Sequence, residues 1–312
     1  GKALDCYPRD SYYLATKLPI WEVKTLEDVD RIFHEQLERL HKDYVDFYLI
    51  HALNKDRWEL IKKLGILEYC EKLRSEGKLR YFGFSFHDDY EVFREIITSY
   101  HWDFCQIQLN YMDKDTQATL KGVELAESLG IPMVIMEPVK GGSLAELPDD
   151  ITSIFRNIRP QASTPSWALR YVATFSNVKV VLSGMSNMEQ VEDNLKTFTD
   201  FEPLNEAEQE AVCQVADALH KRVKNGCTAC RYCMPCPAGI EINTCARMSL
   251  LLRRSPSANQ LTERGQAMMK KIEGCLHCGA CMKKCPYGLN TPKLLEENYE
   301  DYKNVLAGKT LV

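Results

Sequence analysis

Between residue 12 and about residue 183, short apolar, β-branched or aromatic runs alternate with longer stretches whose apolar residues recur every three or four positions. A buried parallel strand is apolar on both faces, whereas an amphipathic helix carries a single apolar stripe. The alternation therefore predicts βα units around a parallel sheet. Six strands are predicted, over 12–16, 46–50, 81–85, 104–108, 133–137 and 178–182. Helices are predicted between them, as over 26–40, where Val29, Ile32, Phe33, Leu37 and Leu40 share one face. Each long helix returns the chain to the sheet.

Two stretches depart from this rhythm. Over 143–165, Pro148, Pro160 and Pro165 interrupt the pattern, which predicts a loop excursion with some helix. After Asn194 no further strand is predicted, and a Glu-rich helix over 206–222 leads into a cysteine-rich tail. Helices over 242–254 and 261–272, with no β alternation, make that tail α-helical. The expected domains are 1–204 and 205–312, a division that a length of 312 residues accommodates.

Composition narrows the partners. With 45% apolar and 27% charged residues the chain has the make-up of a folded protein. The net charge is −5 and the cations are scattered among acids, so nucleic acid is not an expected partner. No run of about 18 apolar residues exists, so no membrane span is expected. Eight of the thirteen cysteines fall in two tight runs, a spacing of metal ligands and not of a disulfide framework. Metal-ligating thiols belong in a reducing compartment, so a cytoplasmic location is expected.

The first run is Cys227, Cys230, Cys233 and Cys236, followed by Pro237; the second is Cys275, Cys278, Cys281 and Cys285, followed by Pro286. The second has the bacterial ferredoxin spacing, in which three thiolates curl round one [4Fe-4S] cube and the fourth reaches a neighbouring one. By analogy with that arrangement, Cys227, Cys230, Cys233 and Cys285 are assigned to one [4Fe-4S] cluster, and Cys275, Cys278, Cys281 and Cys236 to a second. The first run is one residue short before Cys236, which makes that ligand the open point. Structural zinc is the competing reading, because paired Cys-x-x-Cys motifs also build four-thiolate zinc sites. Cys6, Cys70, Cys105, Cys213 and Cys245 stand singly and are expected to be core thiols.

In a sheet of βα units, catalytic groups gather at the C-terminal ends of strands. Polar residues there are Lys17, His51, Ser85, His87, Gln106 and Asn110. Any one of them alone is more often a solvated loop residue.

Together, Leu14-Ala-Thr-Lys17, Asp46-Phe-Tyr-Leu-Ile-His51, Gly83-Phe-Ser85 and Val181-Leu-Ser-Gly-Met-Ser-Asn with Glu192-Asp-Asn194-Leu resemble the aldo-keto reductase family in order and spacing. The resemblance covers about residues 1–198, and the tail resembles the ferredoxin-like extension of one subgroup. It implies an α/β fold, a (β/α)8 TIM barrel, followed by a small α-helical ferredoxin-like domain. A closed barrel needs eight strands, so the first two are expected upstream of Gly1. Gly1-Lys2-Ala3-Leu4 resembles the helix after the family's catalytic tyrosine, so that tyrosine and its aspartate are expected upstream as well.

The resemblance further implies hydride transfer between a nicotinamide and a small carbonyl or alcohol. Lys17 and His51 match the family's lysine and histidine, which would tune the proton donor and orient the carbonyl. Ser85 and Gln106 match residues that hold the carboxamide, and Met136 stands where an aromatic ring often stacks. The turn from Glu137 through Lys140 and Gly141 matches the pyrophosphate loop, and Gly184, Gln190 and Asn194 fall in the adenosine segment. With Gly184 and Gln190 where NADP-preferring relatives carry cations, NADH is weakly favoured.

The function expected is an iron-sulfur oxidoreductase coupling nicotinamide chemistry to electron transfer. A hydride carries two electrons and a cluster accepts one, so a flavin and a redox partner protein enter the picture. The alternatives are a non-catalytic electron-transfer module on a degenerate barrel, and an ordinary reductase whose clusters only brace the tail.

Overall fold

The computed structural model describes residues 1–222, 226–254 and 257–310. The chain divides into two compact units. The first comprises Gly1–Leu109, Asp113–Met136 and Phe175–Leu182; the second comprises Asn110–Met112, Glu137–Thr174 and Ser183–Val312.

The first unit is built on six parallel strands in sequential order: β1 (Ala15–Leu18), β2 (Val45–Leu53), β3 (Leu79–Phe86), β4 (Phe104–Gln108), β5 (Met133–Met136) and β6 (Val178–Val181). All six expected strands form. Among the described residues the sheet stays open, with β1 and β6 as its edges. The 15-residue helix Leu26–Leu40 begins at a Thr25/Asp28 capping box and ends where His41 turns left-handed at φ 55°. It buries Val29, Ile32, Phe33 and Leu37.

Only β4 keeps its expected bounds; β3, β5 and β6 differ by one or two residues at an end, and β1 and β2 differ most. β1 starts later because the Leu14 amide is taken by the buried Asp46 carboxylate at 2.8 Å, which Arg9 also engages at 2.7 Å. β2 runs past His51, with its register shifting between Ile50 and Leu53 and Ala52 left-handed at φ 55°. Lys17 and His51 thus lie within their strands and not just beyond them.

Side-chain alternation decides which residues face the helices. On β3, Phe82, Phe84 and Phe86 are buried against Phe93 and Trp102. Gly83 and Ser85 therefore point to the opposite face of the sheet. Gly83 is required there, since a Cβ would come within 2.5 Å of the Phe104 carbonyl oxygen.

The second unit holds two cores. In one, Phe155 stacks on Trp167 at 4.3 Å, and Ala211, Val212, Val215 and Leu219 of the helix Glu206–Arg222 close over them. Arg170 forms a two-pronged, buried pair with Glu208, 2.9 Å at each contact. The excursion after residue 143 contains the helices Asp149–Arg156 and Thr164–Ala173. In the other core, Ile240, Ile242, Met248, Leu252, Met269, Leu295 and Tyr302 pack together.

Tail helices are shorter than the pattern predicts. The segment 242–254 breaks into Ile242–Cys245 and Met248–Arg254, the second helix receiving a cap where Asn298 Oδ1 accepts the Ser249 amide at 2.8 Å. The segment 261–272 becomes the Thr262-capped helix Glu263–Lys270 followed by a 3-10 turn, Lys271–Gly274. Cys70, Cys105 and Cys245 are buried as expected, but Cys6 and Cys213 are exposed. Cys6 lies in a turn, and Cys213 sits on the outer side of its helix, one residue round from buried Val212. Among the described residues no helix is long and apolar enough to cross a membrane.

Candidate active site and cysteine centre

In the first unit, Ser85 and Gln106 are direct register partners on β3 and β4, so their side chains leave the sheet on the same face. Lys17 pairs with Leu49, which pairs with Gly83, placing Lys17 on that face one layer below. Burial lowers the pKa of Lys17. Burial also lowers His51 to about 4, with further contributions from the charges of Lys17, His87 and Arg57. His51 is therefore neutral at pH 7, able to donate or accept one hydrogen bond at each ring nitrogen.

Further contacts hold this group in place. The Trp21 ring lies 4.9 Å from that of His51, and the Arg57 guanidinium lies over Trp21 and donates to the Ala52 carbonyl. Ala52 in turn donates its amide to Ser85 Oγ at 2.7 Å, which leaves the serine hydrogen available to a ligand. Gln106 Nε2 contacts Met136 Sδ at 3.2 Å, a weak acceptor that a ligand oxygen can displace. His87 is buried, its Nδ1 lies 3.2 Å from Gln117 Oε1, and burial lowers its pKa to about 4. Arg57 and Gln117 escaped the sequence reading, because both enter the group through loop and helix geometry with no motif of their own.

In the second unit, the turn after Glu137 is a run of left-handed residues: Glu137 at φ 58°, Lys140 at 48°, Gly141 at 59° and Gly142 at 84°. Asn110 Nδ2 donates to the Glu137 carbonyl at 3.3 Å. Gly141 is pressed on residue 228: a Cβ would sit 2.0 Å from the Thr228 carbonyl oxygen. Lys140 is buried. Two residues of the tail also reach the turn. Tyr287 donates to Glu137 Oε2 at 2.7 Å, and Arg247 donates to Ser143 Oγ at 2.6 Å. Neither could be found from the sequence, since each contact spans more than a hundred residues.

Farther along, Asn194 Nδ2 donates to Ser183 Oγ at 2.8 Å, and Gln190 Oε1 accepts the Ser186 amide at 2.7 Å. Gly184 is open to solvent, and Asn187 caps the helix Met188–Thr199, whose N-terminus offers amides to an anion.

The eight cysteines of the two runs line two neighbouring cavities. Cys227, Cys230, Cys233 and Cys285 are on one, with Tyr287 beside them. Cys236, Cys275, Cys278 and Cys281 are on the other, with Cys233 on its wall as well. Burial raises the pKa of Cys227, Cys230 and Cys281, and pushes Cys233 up to about 12. These thiols stay protonated at neutral pH until a metal displaces the protons. Four soft donors round a cavity are the ligand set of an iron-sulfur cube, and also that of structural zinc.

Comparison with known proteins agrees with this layout. Residues 1–217 match the aldo/keto reductase family, and residues 226–290 match a 4Fe-4S dicluster domain. The chain is 26% identical over 263 residues to L-galactose dehydrogenase of Arabidopsis thaliana, covering 78% of this chain and 79% of that protein. It is 22% identical over 269 residues to the NADH-specific methylglyoxal reductase of Escherichia coli, covering 71% and 79%. Its fold is similar to that of an aldo-keto reductase from Bacillus halodurans in its holo form, with a TM-score of 0.57 and 25% identity over 69% of this chain and 75% of that one. With 217 of its 312 residues inside the family match, the chain belongs to the aldo/keto reductase family and is an oxidoreductase that carries a C-terminal 4Fe-4S dicluster domain.

Proposed function

We propose that this oxidoreductase exchanges a hydride between a nicotinamide cofactor and a small carbonyl or alcohol, and that two [4Fe-4S] clusters in its tail pass single electrons to or from a redox partner protein. The observation that carries the reading is that Lys17, Ser85 and Gln106 share one face of the sheet, with His51 near enough to Lys17 to feel its charge.

Each residue has a role that its surroundings support. Neutral His51 donates to the carbonyl oxygen and orients it. The Lys17 ammonium stabilises negative charge that develops on that oxygen or on the group that protonates it. The Ser85 hydroxyl and the Gln106 amide hold the carboxamide, with Met136 against the ring. Lys140 and Gly141 serve the pyrophosphate, and Gly184, Gln190 and Asn194 the adenosine end. The nicotinamide, when bound, supplies the hydride. Gln190 offers a 2'-phosphate no charge, and its side chain is already engaged with Ser186, which favours NADH over NADPH.

In the tail, Cys227, Cys230, Cys233 and Cys285 hold one cluster and Cys236, Cys275, Cys278 and Cys281 the other, in a functional domain that starts near residue 205. The two cavities, each lined by one of these sets, support the grouping. Clusters of this kind suit a reducing, cytoplasmic setting. Because a hydride brings two electrons and a cluster takes one, coupling calls for a flavin, bound by the chain or supplied by the partner. The test is anaerobic addition of NADH to the purified full-length protein, followed by flavin. Cluster absorption should hold until flavin is added; rapid stoichiometric bleaching by NADH alone would remove the flavin from the scheme. Carbonyl reduction should proceed faster with NADH than with NADPH, and the reverse order would overturn the cofactor preference.

A further inference from the structure

In the first unit, side chains from four separate segments meet beside His51. Trp21, in the turn Ile20–Glu22 after β1, places its ring 4.9 Å from the His51 imidazole. Arg57, in the first turn of the helix Lys55–Leu64, carries its guanidinium carbon 5.5 Å from the centre of the Trp21 ring and bonds the Ala52 carbonyl through Nη1. His87, just past β3, donates its amide to the Leu53 carbonyl at 2.9 Å, which sets it beside the end of the strand that carries His51. Gln117 meets His87 Nδ1 at 3.2 Å with the oxygen of its amide, and the amide nitrogen is buried with no hydrogen-bond partner among the described residues. Gln117 holds this place in the left-handed region, at φ 59°, which is uncommon for a residue other than glycine.

A guanidinium is always charged, and its five N–H donors form a planar fork that matches a carboxylate. The Ala52 carbonyl fixes the plane of Arg57 without neutralising its charge. The two histidines add no positive charge at pH 7, since burial above all holds both down at about 4. The Trp21 ring is 49% exposed and gives the group a flat apolar wall. A buried amide with one end unmatched costs free energy that a ligand oxygen recovers. Cation, apolar wall and amide donor, ranged round the histidine that orients the carbonyl, suit an organic anion better than a plain aldehyde.

We propose that the carbonyl substrate is an oxo acid: Arg57 pairs with its carboxylate, Trp21 covers the carbon chain between carboxylate and carbonyl, and the Gln117 amide donates to a further oxygen of the same molecule. This deepens the proposed function and rests on its carbonyl chemistry at His51. A hydride and a proton are added across the carbonyl to give a hydroxy acid, while the nicotinamide is oxidised. The carboxylate takes no part in the bonds made or broken. Arg57 and Gln117 thus decide which carbonyl compound is taken.

The test compares 4-carboxybenzaldehyde with 4-carbamoylbenzaldehyde, which have nearly the same shape and differ by one charge, in NADH-dependent reduction by the full-length protein. The native protein should favour the carboxylate in kcat/KM by roughly tenfold or more, mainly through KM. Arg57→Met should erase that preference, Arg57→Lys should restore part of it, and Gln117→Leu should raise KM for the carboxylate. An Arg57 needed only to hold Ala52 would lower both substrates by the same factor when replaced. That result overturns the proposal, as does equal kcat/KM for the two aldehydes in the native protein. If Arg57→Met does not fold, the native comparison and Gln117→Leu decide.

Binding gives a second readout that needs no turnover. Trp58, Trp102 and Trp167 are buried, so Trp21 is the solvent-exposed fluorophore among the four tryptophans. Benzoate should change its emission at lower concentration than benzamide, and Arg57→Met should remove the difference. Equal affinities in the native protein overturn the anion site. If neither aldehyde is reduced yet benzoate binds in an Arg57-dependent way, the anion site stands and the reductase reading falls.

Discussion

The Tyr287 hydroxyl donates to Glu137 Oε2 at 2.7 Å, joining a residue two places after a cluster-run cysteine to the first residue past β5. Burial and the adjoining carboxylate both hold the tyrosine in its protonated, donating form. Tyr287→Phe removes that donor from a half-buried carboxylate. A loss of about 1.5 kcal/mol in unfolding free energy is expected, at the lower end for hydrogen bonds to charged groups. Denaturant titration checks it, and a variant as stable as the parent would show the bond to be of no consequence.

Lys17→Met and His51→Ala, made in the full-length protein, should each lower carbonyl reduction on the order of a hundredfold or more, through loss of acid catalysis and carbonyl orientation. Iron content should be unaffected, because both residues belong to the first unit and the tail's cysteines to the second. Near-normal turnover in either variant would remove that residue from the reaction.

Acidification should destabilise the first unit through its buried histidines. The His87 pKa is lowered from 6.5 to about 4, chiefly by burial. A group depressed in this way binds its proton more readily in the unfolded chain, so stability is intact above pH 6.5 and falls as pH drops towards 4. By pH 5 the loss from His87 amounts to about 2 kcal/mol. His51 acts in the same direction, with less effect because it is more open to solvent. His87→Gln should therefore lose less stability than the parent between pH 7.5 and pH 5 in urea titrations. Equal pH slopes for the two proteins would contradict the burial argument.

Two cubane clusters require about eight iron and eight sulfide per chain. Cys285→Ser should impair the cluster of the first run, and Cys236→Ser that of the second, although each serine lies in the opposite run. Metal analysis and spectroscopy of the two variants give the answer. Stoichiometric zinc without charge-transfer absorption would replace the iron-sulfur assignment altogether.

Much of this protein is written in local patterns. Continuous apolar runs located all six strands, since a parallel strand must be covered on both faces, and the spacing of Val29, Ile32, Phe33 and Leu37 located the helix Leu26–Leu40. Cysteine spacing marked the tail as a metal-ligating region, because ligands of one centre must lie close in space and are often close in sequence. The ends of elements were less legible. β1 begins where Asp46 releases the chain, β2 carries an irregularity beyond Ile50, and the tail helices stop where Asn298 and the core redirect them. Each of those causes is a contact between segments far apart in sequence.

What the sequence could not determine was the company each chemical group keeps. It marked Lys17, His51, Ser85 and Gln106 as polar strand ends, but only the register of the sheet puts Ser85 beside Gln106. Only the fold lowers His51 to about 4, through burial and the charges of Lys17, His87 and Arg57, since the pKa of a side chain follows from the surroundings that folding builds. Arg247 is an ordinary residue of a predicted tail helix, and Gly141 one of a pair of glycines. The tertiary structure brings Arg247 to Ser143 and Gly141 to Thr228, because burial forces polar groups to find partners wherever the fold offers them.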